Sequence, residues 1–235
     1  MLTENKFSKY LLYAIGEIAL VMIGILLALQ VNNQNEIRKS NNLFKTYELN
    51  IISELKTDLL QLDKMDSLRN VRTATIENYI EYYNSENPSI YILKSKADSV
   101  WLNLKYFNTS TYSIQDLIST GNLKLFPTHK RNALLKYKNN SERTAFAELK
   151  SLEEVDEISL EFRKKIDVLF SFNYTKKEHN EVKNWEYNID SPQMRLRNNQ
   201  LAHYLRLYKK QERFYANRIK ETKELIEILE NSNKG

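Results

Sequence analysis

The chain has 235 residues, 35 Lys and Arg against 30 Asp and Glu for a formal net charge of +5, four glycines, three prolines and no cysteine. The missing cysteines remove thiol nucleophiles, disulfides and zinc ribbons. Gly121 is the one glycine outside the apolar block and the last position, so phosphate loops, dinucleotide fingerprints and nucleophile elbows, which need clustered glycines, are excluded, and long helices are favoured over hairpins.

In chain order, residues 1–10 read as an N-terminal tail and Leu11 to Val31 as a transmembrane helix. This apolar block is about 30 Å long as a helix, the thickness of a bilayer hydrocarbon core. It runs into Gln30, Asn32, Asn33, Gln34 and Asn35, with no small-x-small cleavage site, so it reads as an uncleaved anchor rather than a signal peptide. Tyr10 and Tyr13 suit the headgroup belt. Glu17 is the one residue of the block charged at neutral pH in water, and it shares a helix face with Leu20, Gly24 and Ala28. Gly24 and Ala28 form a small-xxx-small pair that permits close helix approach. Three readings of Glu17 stay open: a helix–helix contact locked by its carboxyl, a snorkelling acid, or a proton-carrying group in an ion-driven complex.

Lys6 and Lys9 precede the block and Arg38, Lys39 and Lys45 follow it, so basic residues do not decide orientation. A short N-terminal tail in the cytoplasm is the usual bacterial arrangement, which puts residues 32–235 in the periplasm as a helical-bundle domain.

Three stretches carry a resemblance: "MLTENKFSKYLLYAIGEI" (Met1 to Ile18), "GILLALQVNNQNEIRK" (Gly24 to Lys39) and "TYSIQDLISTGNLKLFPTHKRNALLKY" (Thr111 to Tyr137). They resemble an uncharacterised family of small single-span membrane proteins, abundant in Bacteroidota and grouped as a domain of unknown function. The resemblance implies a bacterial inner-membrane anchor followed by a helical domain, and carries no activity.

Beyond the anchor, Phe44, Ile51, Leu55, Leu59, Leu62 and Met65 recur at helical steps, and "NSENP" (Asn84 to Pro88) ends this first helix. A shorter helix is expected from Lys96 to Phe107. Ser113 and Asp116 suggest a capping box, Gly121 a left-handed cap, "LKLFP" an extended link and Thr128 a cap on the next helix. That helix is expected from Thr128 to Phe170, with Ala145, Leu149, Leu152, Val155, Phe162, Ile166 and Leu169 as its stripe. Ser171 to Gln193 reads as a loop with Trp185 and Tyr187 docked on the bundle. The last helix, Arg197 to Glu230, repeats Leu201, Leu205, Tyr208, Tyr215, Ile219, Ile226 and Leu229.

The fold class is therefore all-α: a transmembrane helix continuing into an antiparallel bundle of long helices with a short helical hairpin. Eight Lys and Arg between Ser191 and Lys220 face a lone Glu212, while Glu153, Glu154, Asp156, Glu157 and Glu161 crowd the preceding helix. Opposite charge runs on antiparallel neighbours predict ion pairing between them rather than nucleic-acid binding. His129, His179 and His203 lie far apart without metal-ligand spacing, so neither metal nor cofactor is expected. The expected function is a membrane-anchored, non-enzymatic bundle that binds or organises other envelope components. The alternative is a subunit of an ion-driven or multi-subunit membrane complex that uses Glu17. The expected partners are the lipid bilayer and, through the Glu17, Leu20, Gly24, Ala28 face, a second copy or another membrane subunit.

Overall fold

The computed structural model describes residues 4–231; the first three residues of the N-terminal tail and the last four, Gly235 among them, lie outside the described residues. Six helices appear in the order α1 (Glu4–Tyr83), α2 (Ile90–Asp98), α3 (Tyr112–Ser119), α4 (Thr128–Arg163), α5 (Val168–Ser171) and α6 (Pro192–Glu230), with no strand among the described residues. Two short 3-10 turns, Asn122–Leu125 and Trp185–Tyr187, complete the path.

α1 is a single helix of 80 residues, about 120 Å long. Nothing between Ile25 and Tyr83 is Gly or Pro, so no residue type breaks it, and it stops at the expected Asn84–Pro88 segment. From Ser8 through Leu43 it is exposed apart from a partly covered Asn35, and Phe44 is where it first meets the bundle. Residues 32–43 therefore form a polar stalk of about 18 Å.

α6 packs along both α1 and α4, whereas α1 and α4 approach each other closely at few points, chiefly near the stalk end. What fills the gap is not the expected Lys96–Phe107 helix. α2 ends at Asp98, and residues 99–111 run as an irregular strap alongside α1 in the opposite direction, with Arg72 beneath Trp101, Leu62 beneath Phe107 and Asp58 beneath Ser110. The strap takes its hydrogen bonds from side chains rather than from a helical ladder. Tyr208 OH accepts from Asn103 N, Glu148 from Phe107 N and Asp58 from Ser110 N, while Gln211 donates to Lys105 O. A helical 96–107 could not present those backbone groups outward.

Other local expectations fail for similar reasons. Ser113 does not cap α3, which starts at Tyr112; its hydroxyl instead donates to Glu54 at 2.6 Å, and Asp116 accepts from Tyr47. The "LKLFP" link is a 3-10 turn, not extended, until Phe126. Pro127 occupies the cap position of α4, and Thr128 is its first residue. Gly121, at φ 69°, is the left-handed stop expected of it. α4 ends at Arg163 rather than continuing to Phe170, and α5 follows after a turn capped by Asp167. The buried stripe of α4 is shifted: Leu152, Val155 and Phe162 are buried, but Leu149 and Leu169 are exposed, and Ser141, Glu148, Ser151 and Ser159 lie inside. Trp185 docks edge-on against Phe162, while Tyr187 stays half exposed beside Tyr91.

The expected pairing of charge runs on α4 and α6 is largely replaced by local pairs. Glu153, Asp156 and Glu161 bond to Lys150, Arg163 and Lys164 of their own helix or its end. Of the basic run, Lys210 reaches Glu154 of α4, Lys209 reaches Glu77 of α1 and Arg197 reaches Asp98 of α2. Long side chains on a solvated helix find partners one turn away more easily than across a helix pair.

Candidate functional site

Glu17, Leu20, Gly24 and Ala28 all lie on the bare part of α1 and all are exposed. Their helical spacing brings them to one face, spanning about 16 Å. A methyl group added at Gly24 meets nothing within 4 Å, so that face is open to a partner helix. The described part of α1 contains one segment long and apolar enough to cross a membrane, with none of it buried in the protein.

The phase of the helix relates this face to the bundle. At 100° per residue, Phe44, Ile51 and Leu55, which pack into the bundle, lie roughly 180–220° from Gly24, on the opposite side of α1. The outward side in the bundle region carries Leu49, Leu60 and Val71, which are 66%, 75% and 64% exposed. These recur at eleven-residue intervals, within about 20° of the Gly24 direction. The candidate face therefore continues past the stalk on the side that α4 and α6 leave uncovered.

At the stalk end of the bundle, α1 is tied to the segment that the sequence singled out between Thr111 and Tyr137. Phe44 meets Phe126 edge-on with ring centroids 4.8 Å apart. Lys130, 1% exposed, donates to Glu48 and to Leu229 O at 2.7 Å and lies over the Phe44 ring. Tyr47 donates to Asp116 and accepts from Asn122. About two and three turns further along α1, Glu54 and Asp58 take the backbone N–H groups of Ser113 and Ser110.

Deeper in the bundle the strap meets a second polar set, which period-based reading missed because these residues sit where apolar ones belong. Glu148 accepts from Gln211 at 2.7 Å, from Tyr215 OH at 3.2 Å and from Phe107 N at 3.4 Å. Arg218, 3% exposed, donates to Ser141 at 2.7 Å, to Asn140 O at 3.0 Å and to Glu221 at 3.2 Å. Burial pushes the carboxyls of Glu148 and Asp58 above the usual range, against the hydrogen bonds they accept and the Arg218 charge. Burial also pushes the Tyr208 hydroxyl up to about 12, and raises Tyr215 beside Glu148. The one signal in the sequence was negative: Glu148 and Asp58 interrupt otherwise apolar stripes. Each is fully engaged in tying the strap. Among the described residues no group of three or more His, Asp or Glu is placed to hold a metal ion.

No curated protein and no solved structure matches the chain. Residues 17–143 match a family of unknown function (DUF6090). The matched range takes in the apolar segment from Glu17 onward, the stalk, the strap and the whole Thr111–Tyr137 segment that clamps α1, and leaves out most of α4 and all of α6. Since that match covers more than half of the 235 residues, the chain belongs to the DUF6090 family.

Proposed function

We propose that this is a bacterial membrane-anchored, non-enzymatic helical-bundle protein that binds or organises other envelope components, crossing the inner membrane once with its N-terminus in the cytoplasm and its bundle in the periplasm. The observation that carries the reading is α1: a bare apolar segment, a bare polar stalk and a bundle-forming stretch in one unbroken helix of 80 residues. A helix that is apolar all round and buried nowhere within the chain needs lipid or another protein around it. The buried acids and bases of the bundle support the non-enzymatic part, because Asp58, Glu148, Lys130 and Arg218 are bonded into strap and clamp, and the cavity that Glu148 and Arg218 share is only about 10 Å³.

The partner in the membrane is a second copy or another subunit, received on the face of Glu17, Leu20, Gly24 and Ala28. That face points away from the bundle, so a partner helix meets no obstruction from α4 or α6. A phosphatase fused after the C-terminus tests the topology: it should be active, and a fluorescent protein fused there should be dark. The reverse pattern places the bundle in the cytoplasm and overturns the envelope assignment.

A second reading rests on Glu17 itself, an exposed acid within an apolar sleeve. It is a subunit of an ion-driven or multi-subunit membrane complex in which that carboxyl carries a proton.

A further inference from the structure

At the end of the bundle remote from the stalk, a cavity of about 290 Å³ opens between the end of α2, the end of α4, α5 and the start of α6. Its base is closed: Trp185 is 6% exposed, and Phe162 meets it edge-on at 5.5 Å. Its rim includes Phe172, more than half exposed. The size falls near the lower end of small-molecule pockets, about 300–1,000 Å³, enough for a body of one or two rings.

Gln200 lines this cavity, is 9% exposed, and its amide has no hydrogen-bond partner among the described residues. Elsewhere in this interior, buried polar side chains such as Glu148 and Gln211 are bonded to neighbours. The polar side-chain atoms that are sealed off without a partner are Arg72 Nε and Thr73 Oγ1 among the described residues, so the Gln200 amide, which is not one of them, stays accessible to a guest in the cavity. Arg197, one helical turn before Gln200 on the same face of α6, also lines the cavity and stands over the Trp185 ring at 5.9 Å. It donates once to the protein, from Nη2 to Asp98 at 3.1 Å, and keeps its other N–H groups.

The acids around the cavity are already neutralised. Asp98 accepts from Lys94 at 3.0 Å as well as from Arg197, and Glu186 takes Lys94 at 2.9 Å. Burial opposes ionisation of Asp98, but those two partners hold its carboxyl below the usual range. The unspent groups are the free N–H donors of Arg197 and the Gln200 amide, whose NH2 donates and whose Oε1 accepts, beside aromatic walls. We infer that this cavity is a binding site for a small aromatic monocarboxylate, its ring against Trp185 and Phe162 and its carboxylate on Gln200 and Arg197. The inference is independent of the membrane assignment.

The test uses the full chain in lipid nanodiscs with Trp101→Phe, which leaves Trp185 as the one tryptophan. The probe is 4-phenylbutyrate, read by Trp185 emission, with 4-phenylbutylamine as the same body carrying the opposite charge. Saturable binding of the acid is expected, with at least tenfold weaker binding of the amine and at least tenfold weaker binding of the acid to Gln200→Leu. Gln200→Glu, which sets a second anion against the ligand, should abolish acid binding while circular dichroism shows the same helix content. Absence of a saturable change up to about 10 mM overturns the inference. Equal binding of acid and amine overturns it as well, as does unchanged affinity in both Gln200 variants.

Discussion

The strap can be unfastened at one residue, Glu148, and the size of the effect follows from its contacts. Leu in its place fills nearly the same space but accepts nothing. Tyr215 OH and Phe107 N then lose their acceptor, and Gln211 loses one of two, keeping Lys105 O at 2.9 Å. Each buried donor left without a partner costs about 1–3 kcal/mol. Against this, Glu148→Leu removes a carboxylate that burial already disfavours in its charged form. The net expectation is a destabilisation of about 3 kcal/mol. Glu148→Gln keeps an oxygen for Gln211 and Tyr215 and turns a donor toward Phe107 N, so its loss should be nearer 1 kcal/mol, as for a single hydrogen bond. Urea unfolding followed by tryptophan fluorescence, from Trp101 and Trp185 together, gives the totals. Hydrogen exchange across residues 100–111 shows whether the strap is the part released. If Glu148→Leu stays within about 0.5 kcal/mol of the parent, the level of an ordinary surface change, or leaves strap protection intact, the carboxylate does not hold the strap.

The raised carboxyls of Asp58 and Glu148 bind protons more tightly folded than unfolded, so their contribution to stability is largest below the unfolded values of 3.8 and 4.5 and declines as pH rises toward the folded ones. Unfolding free energies from pH 3.5 to 7 should show Glu148→Gln losing less than the parent over that rise; parallel curves refute the assignment. Lys130→Met should destabilise by about 2 kcal/mol, since it removes the cation that bonds Glu48 and Leu229 O and lies over Phe44, and Glu48→Gln added to it should restore part of the loss. In crosslinking within membranes, Glu17→Leu should weaken self-association by about 0.6 kcal/mol and Gly24→Ile by more, with Glu17→Gln close to the parent; a proton-carrying Glu17 instead makes Gln as harmful as Leu in a functional readout. The absence of native cysteine allows single cysteines at Ala28, Leu49 and Leu60 to map the contact: disulfide yield at Ala28 alone confines it to the apolar segment, and none at any of the three removes it.

The long helices were legible because their signals are strong and local. Apolar residues at three- and four-residue steps marked α1, α4 and α6, and Asn84–Pro88 and Gly121 stopped the chain where they were expected to. The strap was not legible. Val100, Trp101, Leu104 and Phe107 have helical spacing, yet the competing state is stabilised by Asp58, Tyr208, Glu148 and Gln211, all far away in sequence. The same holds for Ser113, which looks like a cap until Glu54 is brought beside it. In the candidate membrane face, the residues could be named from sequence, but its direction relative to the bundle needed the observed continuity of α1 and the knowledge that Phe44 and Ile51 face inward.

That direction constrains what the molecule can do. Four ties hold α1 between Tyr47 and Asp58: to Asp116, Lys130, Ser113 and Ser110, within about 16 Å of helix. Turning α1 by one residue, about 100°, would carry all four donors and acceptors out of reach together, so the bundle moves with the stalk as one body. The stalk has no Gly or Pro at which to bend. Whatever fixes the rotation of the apolar segment therefore fixes which side of the bundle faces outward. With a partner on Gly24 and Ala28, Leu49, Leu60 and Val71 turn toward that partner, and α4, α6 and the Gln200 cavity lie clear of it. The proposed contact in the membrane and the proposed binding at the far end would then use separate surfaces.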